Sequence, residues 1–239
     1  MDSDSRLEHE KLAALKELAY GASHEINNPL ANIAARAQTL LRGEADPERR
    51  RMLAAIHRQA MRAHEMIADL MLFARPPKLQ LAPCDLGHLV QTVVDELAEV
   101  AAEQETTLTC DLADPPIAVP ADGTQLAVAV QAVIRNALEA VGEAGHVLVR
   151  VRNSELSGDP CAEITVRDDG PGISEAVRAH LFDPFFSGRE AGRGLGFGLS
   201  KCWRIVTDHG GQVVVRSPEA AGAEIAILLP TGAFTTVNR

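Results

Sequence analysis

Apolar residues in the first third of the chain recur every three or four positions, which is the period of an amphipathic helix. Between residues 7 and 73 this period is interrupted only by GEADPE at 43–48, where Gly ends one helix and Asp followed by Pro begins the next. The stripe of the first helix consists of Leu15, Leu18, Ala22, Ile26, Leu30, Ile33, Ala37 and Leu40. The stripe of the second consists of Met52, Ile56, Gln59, Ala63, Met66, Leu70 and Phe73, in which Gln59 is the one polar member. The pattern therefore predicts a hairpin of two long helices.

The apolar faces of this hairpin are wider than one partner helix can cover. This favours a homodimer, in which two hairpins form a four-helix bundle. Docking of the hairpin onto the rest of the chain is the alternative. The segment RPPKLQLAPCDL at 75–86 contains three prolines and ends the second helix, so we expect a domain boundary there.

Beyond residue 86, helical and strand-like periods alternate along the chain. Helices are predicted at about 86–104, from an Asp122 cap to Val141, and at about 195–209, and strands at 106–112, 146–152, 162–168, 211–217 and 223–230. The predicted fold class is therefore α+β, with a helical hairpin at 1–78, a linker at 79–85 and an α/β domain at 86–239.

Composition and charge exclude several classes of function. The 239 residues carry a formal net charge of −10, so the overall field repels nucleic acid and anionic lipid. Apolar runs stay below the roughly 18 residues of a membrane span, and the start MDSDSRLEHE lacks the apolar centre of a signal peptide. The four cysteines are isolated from one another, which argues against a disulfide framework or a zinc site. We expect a cytoplasmic protein with no nucleic-acid partner and no membrane segment.

Three segments of the second half carry candidate chemistry. In QAVIRNALEAV, the amide oxygen of Asn136 suits Mg2+, which prefers oxygen ligands. In VRDDGPGIS, Asp168 can accept a hydrogen bond from an exocyclic amine, while Gly170 and Gly172 let a flat ligand approach the backbone. In GRGLGFGLS, the glycines at 192, 194 and 196 lead into a helix whose free N–H groups suit a polyphosphate. Each segment alone is a weak signal, because lone Asn residues, DGPG turns and glycine-rich loops are common.

Taken together with FDPFF at 182–186, these segments resemble the N, G1, F and G2 boxes of the ATP-binding domain of histidine kinases. The resemblance implies an α/β sandwich shared with type II topoisomerases, a heat-shock chaperone and mismatch-repair ATPases. It further implies that the domain binds ATP and Mg2+, that Asn136 holds the metal and Asp168 recognises adenine, and that the segment between the two glycine boxes forms a lid. Arg189 and Arg193 lie in this lid and can meet phosphate oxygens, although solvent-facing arginines are an equal alternative.

The stretch GASHEINNPL at 21–30 resembles the H box of histidine kinases, in the HEIxNPL form of nitrogen-regulator-type sensors. The resemblance implies that His24 accepts the phosphoryl group and that Glu25 orients its ring and takes the released proton. Pro29 removes a helical hydrogen bond and bends the helix near the nucleophile. By resemblance, Asn28 positions a water that dephosphorylates the partner. That partner is the receiver domain of a response regulator, and a separate sensor domain or protein would supply the stimulus.

Position 132 bears on the reaction type. Relatives that hydrolyse ATP with water carry a glutamate four residues before the magnesium asparagine, whereas this chain has Ala132 there, which favours a kinase over an ATPase. Histidine kinases often carry an asparagine at this position, so we expect reduced nucleotide affinity. The alternatives to an active kinase are a degenerate kinase that acts as a scaffold or phosphatase, and a related ATPase. The other histidines, at 9, 57, 64, 88, 146, 180 and 209, are expected to be inert surface residues.

Overall fold

The computed structural model describes residues 25–74, 76–183, 186, 196–217 and 222–232. The chain divides into two units, Met1–Pro77 and Lys78–Arg239. The first contains helix α1, described from residue 25 to residue 43, and α2, Pro47–Ala74. The second contains β1 (Ala82–Asp85), α3 (Leu86–Glu103), β2 (Thr107–Asp111), β3 (Ala118–Ala121), α4 (Gly123–Val141), β4 (His146–Leu156), β5 (Asp159–Asp168), α5 (Glu175–Arg178), α6 (Gly198–Asp208), β6 (Gln212–Arg216) and β7 (Glu224–Pro230). A helical region followed by an α/β domain is the predicted fold class, which is confirmed.

The turn between α1 and α2 satisfies the open ends of both helices. The side chain of Asp46 accepts hydrogen bonds from the backbone N–H groups of Glu48 and Arg49, at 2.8 and 3.1 Å. Arg50 Nη1 donates to the carbonyl oxygens of Leu41 and Glu44, at 3.2 and 3.1 Å. Asp46 is thus the cap predicted before Pro47, and Arg50 closes the preceding helix.

The hairpin buries small side chains and leaves large ones exposed. Among its described residues the buried hydrophobic side chains are Ala34, Ala37 and Ala60, which allow two helices to approach closely. By contrast, the large apolar side chains of Ile26, Ile33 and Leu40 are 40%, 46% and 60% exposed. These three recur every seven residues, so one side of α1 is an apolar surface that a single hairpin does not cover. No helix in the described part of the chain combines the length and apolar character needed to cross a bilayer.

The core of the second unit lies between a mixed sheet and three helices. The strand order is β2-β4-β5-β7-β6, with β2 parallel to β4 and the other pairs antiparallel. Because β2 and β4 run parallel, the chain must cross over between them, and this crossover contains α4. Alternate residues of the strands are fully buried, such as Val149 and Ile164, and so are Leu126 and Val130 of α4. Helix α4 packs between α3 and α6, which places it at the centre of the helical layer.

Two short strands were not predicted from the sequence. β1 lies within the segment 79–85, which was expected to be a linker, and it pairs antiparallel with β3. Pro83 stands opposite Pro120 in this ladder, and each strand has only four residues. Proline lowers the strand signal because it cannot donate a ladder hydrogen bond. Pairing with β3 therefore makes residues 82–85 part of the second unit.

Candidate functional site

Asp168 is a buried hydrogen-bond acceptor at the last position of β5. Its side chain is almost fully enclosed, and its Oδ1 accepts from the N–H groups of Gly170 and Ala223, at 2.9 and 3.3 Å. Burial raises the pKa of the Asp168 carboxyl, the nearby Asp169 charge adds to this, and the two backbone hydrogen bonds oppose it. Among the described residues both bonds use Oδ1, which leaves Oδ2 to accept from a ligand.

Glycine is required on two sides of Asp168. A Cβ on Gly170 would lie 3.2 Å from the carbonyl oxygen of Ala140, so the turn after β5 packs tightly against the last turn of α4. Gly222 has φ +78°, and a Cβ there would overlap the carbonyl oxygen of Asp168. Gly172, with φ +80°, also adopts a backbone conformation that favours glycine. The sequence pattern pointed to Gly170 and Gly172, whereas Gly222 gave no signal.

Asn136 lies on α4, one turn before Ala140, and its side chain is half-buried. The contact between Gly170 and Ala140 therefore brings the Asp168 turn close to the part of α4 that carries Asn136. Its amide oxygen is of the donor type that Mg2+ prefers. In the described part of the chain, no three His, Cys, Asp or Glu side chains converge as a metal site would require. A magnesium ion here would thus need oxygen ligands from a phosphate or from water in addition to Asn136. Ala132, which lies one helical turn before Asn136 on α4, is buried.

The first turn of α6 is open at its N-terminus. Phe197 precedes the helix without a side-chain capping bond, and Ser200 Oγ donates back to the carbonyl oxygen of Phe197 at 3.1 Å. Uncapped N–H groups at a helix start attract anions such as phosphate. Gly196 has φ +70°, and a Cβ there would overlap the Phe186 backbone, so these two positions are in contact. The other predicted residues of this segment, Arg189, Gly192, Arg193 and Gly194, lie outside the described residues.

Ser217 supports the site and was missed in the sequence. Its hydroxyl accepts from the N–H of Ile173 at 2.8 Å and donates to the carbonyl oxygen of Gly222 at 3.0 Å. Arg178 donates to the Ser217 carbonyl oxygen at 2.8 Å. These bonds connect the turn that follows Gly172 to the segment that contacts Asp168. A serine after a strand is too common to have indicated this.

Three of the histidines that were expected to be inert surface residues have specific partners, and one of the three is buried. His209 is 1% exposed, so the expectation is wrong for this residue, which bonds two helices together. His146 is exposed but paired with Asp169. Its backbone nitrogen and its ring Nδ1 each lie 2.9 Å from a carboxylate oxygen of Asp169. These hydrogen bonds lower the pKa of Asp169. His180 likewise pairs with Asp183, at 2.7 Å.

On the hairpin, Glu25 and Asn28 are exposed on α1, while His24 lies outside the described residues. Asn32 Nδ2 donates to the carbonyl oxygen of Asn28 at 3.0 Å, within a helix that continues through Pro29. A groove of about 250 Å³ runs between the two helices. It is lined by Leu30, Ala31, Ala34, Ala35 and Gln38 of α1 and by His57, Met61 and His64 of α2. Ala31 and Ala35 follow Asn28 by three and seven residues, so the groove lies on the Asn28 side of α1, away from Ile33.

Comparisons with known proteins agree with this arrangement. Residues 14–78 match the His Kinase A (phospho-acceptor) domain family, and residues 121–233 match the histidine kinase-, DNA gyrase B-, and HSP90-like ATPase family. Sensor histidine kinase ZraS of Klebsiella oxytoca is 31% identical over 222 residues, which are 92% of this chain and 47% of ZraS. Sensory histidine kinase/phosphatase NtrB of Salmonella typhimurium is 30% identical over 95% of this chain and 66% of its own length.

A solved structure extends the comparison to the fold. The crystal structure of full-length ShkA in complex with AMPPNP superposes with a TM-score of 0.77 and 27% sequence identity, covering 91% of this chain and 47% of ShkA. This chain thus spans about half the length of ZraS and of ShkA. Its helical hairpin matches the phospho-acceptor domain family, and its α/β unit matches the ATPase family. The chain belongs to the histidine kinase family.

Proposed function

We propose that this chain is the catalytic core of a two-component sensor histidine kinase. In this proposal ATP binds the second unit, its γ-phosphoryl group passes to His24, and the group then passes to an aspartate of a response regulator receiver domain. The observation that carries the proposal is the placement of Asp168, a buried acceptor, beside the turn of α4 that follows Asn136. A phospho-acceptor domain in the same chain provides the nucleophile that this site needs.

Nucleotide binding follows from the contacts around Asp168. Its carboxylate accepts from the exocyclic amine of adenine, and the absence of a side chain at Gly170 and Gly172 lets the ring approach the backbone. The phosphates extend towards the first turn of α6, whose N–H groups lack a side-chain cap. Asn136 holds Mg2+, which neutralises phosphate charge. Arg189, Gly192, Arg193, Gly194 and Gly196 belong to the proposed lid over these phosphates.

The transfer itself is a displacement at phosphorus. A neutral ring nitrogen of His24 attacks the γ-phosphorus, a P–N bond forms, and the bond to the leaving oxygen of ADP breaks. The neighbouring Glu25 carboxylate holds the other ring N–H and takes its proton. Ala132 provides no general base to activate water, so the γ-phosphoryl group is preserved until His24 attacks it.

The two sides of the hairpin suit two different partners. The apolar side that includes Ile26, Ile33 and Leu40 is proposed to contact a second copy, which gives a homodimeric four-helix bundle. The groove on the Asn28 side is proposed to receive the receiver domain. His24 precedes Asn28 by four residues, and residues at this spacing share a helix face. Asn28 would then position a water that removes phosphate from the receiver, and the name of the NtrB relative includes the word phosphatase.

A cytoplasmic location remains part of the proposal. All four cysteines are free thiols, which is the state that a reducing compartment maintains. A sensor domain or a separate sensor protein would supply the stimulus, because the ZraS relative is about twice as long as its matched part.

Labelling with [γ-32P]ATP and Mg2+ tests the proposal. The wild-type chain is expected to acquire a label that is stable to alkali and labile to acid, as a phosphohistidine is. His24→Gln should remove the label, whereas His88→Gln, at an exposed histidine on α3, should retain it. Labelling of His24→Gln at the wild-type level would contradict the proposal. Nucleotide binding without any label would instead favour the scaffold or phosphatase alternative.

A further inference from the structure

His209 is a buried histidine whose two ring nitrogens both form hydrogen bonds. It follows the last residue of α6 and is 1% exposed. Its Nδ1 lies 2.8 Å from the carbonyl oxygen of Ile205, and its Nε2 lies 3.0 Å from the backbone nitrogen of Asp122. A carbonyl can only accept, so Nδ1 carries the hydrogen, and Nε2 accepts from the Asp122 N–H. These contacts require a neutral ring in a single tautomer.

Asp122 extends this contact to two further segments. It caps α4, with Oδ1 accepting from the Gln125 N–H at 3.1 Å. Its Oδ2 accepts from the Gln125 side chain at 3.2 Å and from the backbone N–H of Gln80 at 3.0 Å. Burial tends to raise the pKa of Asp122, but the hydrogen bonds from Gln80 and Gln125 outweigh it and the pKa is lowered. The carboxylate is therefore the ionised centre of a buried network, which we call the His209–Asp122 clasp.

The clasp lies at the opposite end of the helix pair from the proposed nucleotide site. It joins the start of α4 to the end of α6, and the two helices pack against each other, so they run antiparallel. Gly198 precedes His209 by 11 residues, or about 16 Å of helix, and Asn136 follows Asp122 by 14 residues, or about 21 Å. Asn136 and the first turn of α6 are thus at similar levels along the pair. A lengthwise shift of one helix would separate the groups that meet the phosphates.

We propose that the His209–Asp122 clasp positions α4 and α6 for ATP binding and ties this pair of helices to Gln80, three residues after the boundary between the two units. The inference rests on the proposed function, because it takes the nucleotide site to lie beside Asn136 and the start of α6. His209 is therefore a positioning residue that acts through the helices and touches no substrate.

Two substitutions separate the two hydrogen bonds of the ring. In His209→Gln the amide oxygen reaches about as far as Nε2 and can still accept from the Asp122 N–H, whereas the shorter side chain in His209→Asn ends near the position of Nδ1. The Ile205 carbonyl keeps its backbone bond from the residue 209 N–H in both variants, at 3.1 Å in the wild type. The comparison therefore isolates the bond across the two helices.

The test measures the full chain in three ways. At a temperature where circular dichroism shows each protein folded, His209→Asn is expected to weaken binding of an ATP analogue about tenfold and to raise KM for ATP, with kcat within about twofold of wild type. His209→Gln should restore most of the affinity. Hydrogen exchange in His209→Asn should accelerate at the Gln80 and Asp122 amides more than at core amides such as Val149.

The result that overturns the inference is nucleotide affinity in His209→Asn equal to that of wild type, or a loss of affinity that His209→Gln shares fully. A wild-type protein that binds no nucleotide would instead overturn the proposed function.

Nitrogen NMR of the wild-type His209 ring provides a test that needs no variant. The hydrogen-bond geometry predicts that Nδ1 carries the hydrogen and Nε2 does not, and a hydrogen on Nε2 would refute the clasp.

Discussion

Asp168→Asn is expected to abolish most nucleotide affinity without destabilising the domain. The amide oxygen of the new side chain can replace Oδ1 and accept from the Gly170 and Ala223 N–H groups. The amide nitrogen, however, stands where Oδ2 would accept from adenine, so a donor meets a donor. A hydrogen bond to a charged acceptor contributes about 1.5–3 kcal/mol, which corresponds to roughly 10–150-fold in Kd.

The effect on stability has the opposite sign. Burial raises the pKa of the Asp168 carboxyl in the folded state, so the protonated form favours folding and this contribution is lost as pH rises through the folded pKa. At pH 8 the wild-type domain therefore carries a buried charge that the variant lacks. The variant should melt at the wild-type temperature or above it at pH 8, and its advantage should shrink as pH falls towards 4.

Two measurements check these expectations. Titration with a fluorescent ATP analogue and Mg2+ gives Kd, and thermal melting at pH 8 and pH 4 gives stability. Asp169→Asn is the matched control, because Asp169 is half-exposed and pairs with His146; its Kd should stay within about twofold of wild type. Wild-type affinity should also fall as pH drops through the raised pKa of Asp168. Unchanged affinity in Asp168→Asn, or melting well below wild type at pH 8, would refute the reasoning.

Three further predictions concern the backbone, the hairpin turn and the apolar side of α1. Gly222→Ala should lower both the melting temperature and the nucleotide affinity, because the new Cβ overlaps the Asp168 carbonyl. The control Gly158→Ala has φ +88° but open space around it, so it should cost only about 1–2 kcal/mol of stability. Equal losses of stability in the two variants would contradict this prediction. Asp46→Ala removes the α2 cap and should lower the free energy of unfolding by about 1 kcal/mol in urea denaturation, and no change would show that other groups cap the helix. Ile33→Glu should convert the proposed dimer into a monomer, as measured by light scattering. Thr39→Glu, at another exposed position of α1, should leave the dimer intact. A dimeric Ile33→Glu variant would argue against this interface.

Local sequence signals predicted the elements that depend on neighbouring residues. Each of the two helix caps, Asp46 and Asp122, bonds to a backbone N–H three residues further along the chain, so the local sequence alone revealed both. The long strands were predicted for the same reason, because alternation is visible within each strand. β1 escaped prediction because its partner β3 lies about 36 residues away and both strands contain proline.

The site was predictable only where its chemistry follows the chain. Asp168 and Gly170 are two residues apart and bond to each other, so a short motif describes both. Gly222 and His209 were missed because the need for each arises from distant residues. Gly222 must be glycine only because it approaches Asp168, and His209 meets Asp122 across 87 positions. Pattern analysis detects periods and adjacent groups, but it does not show which distant backbone a residue will touch.

The contact between Gly196 and Phe186 has a consequence for how this family can change over evolution. Residues 186 and 196 touch although nine residues separate them along the chain. The entropy of closing a flexible loop grows slowly, by about 0.6 kcal/mol for each doubling of its length. Insertions between residues 187 and 195 should therefore cost the domain little stability. Evolution or engineering can vary the number of residues between 186 and 196 while the sheet and the helices remain unchanged.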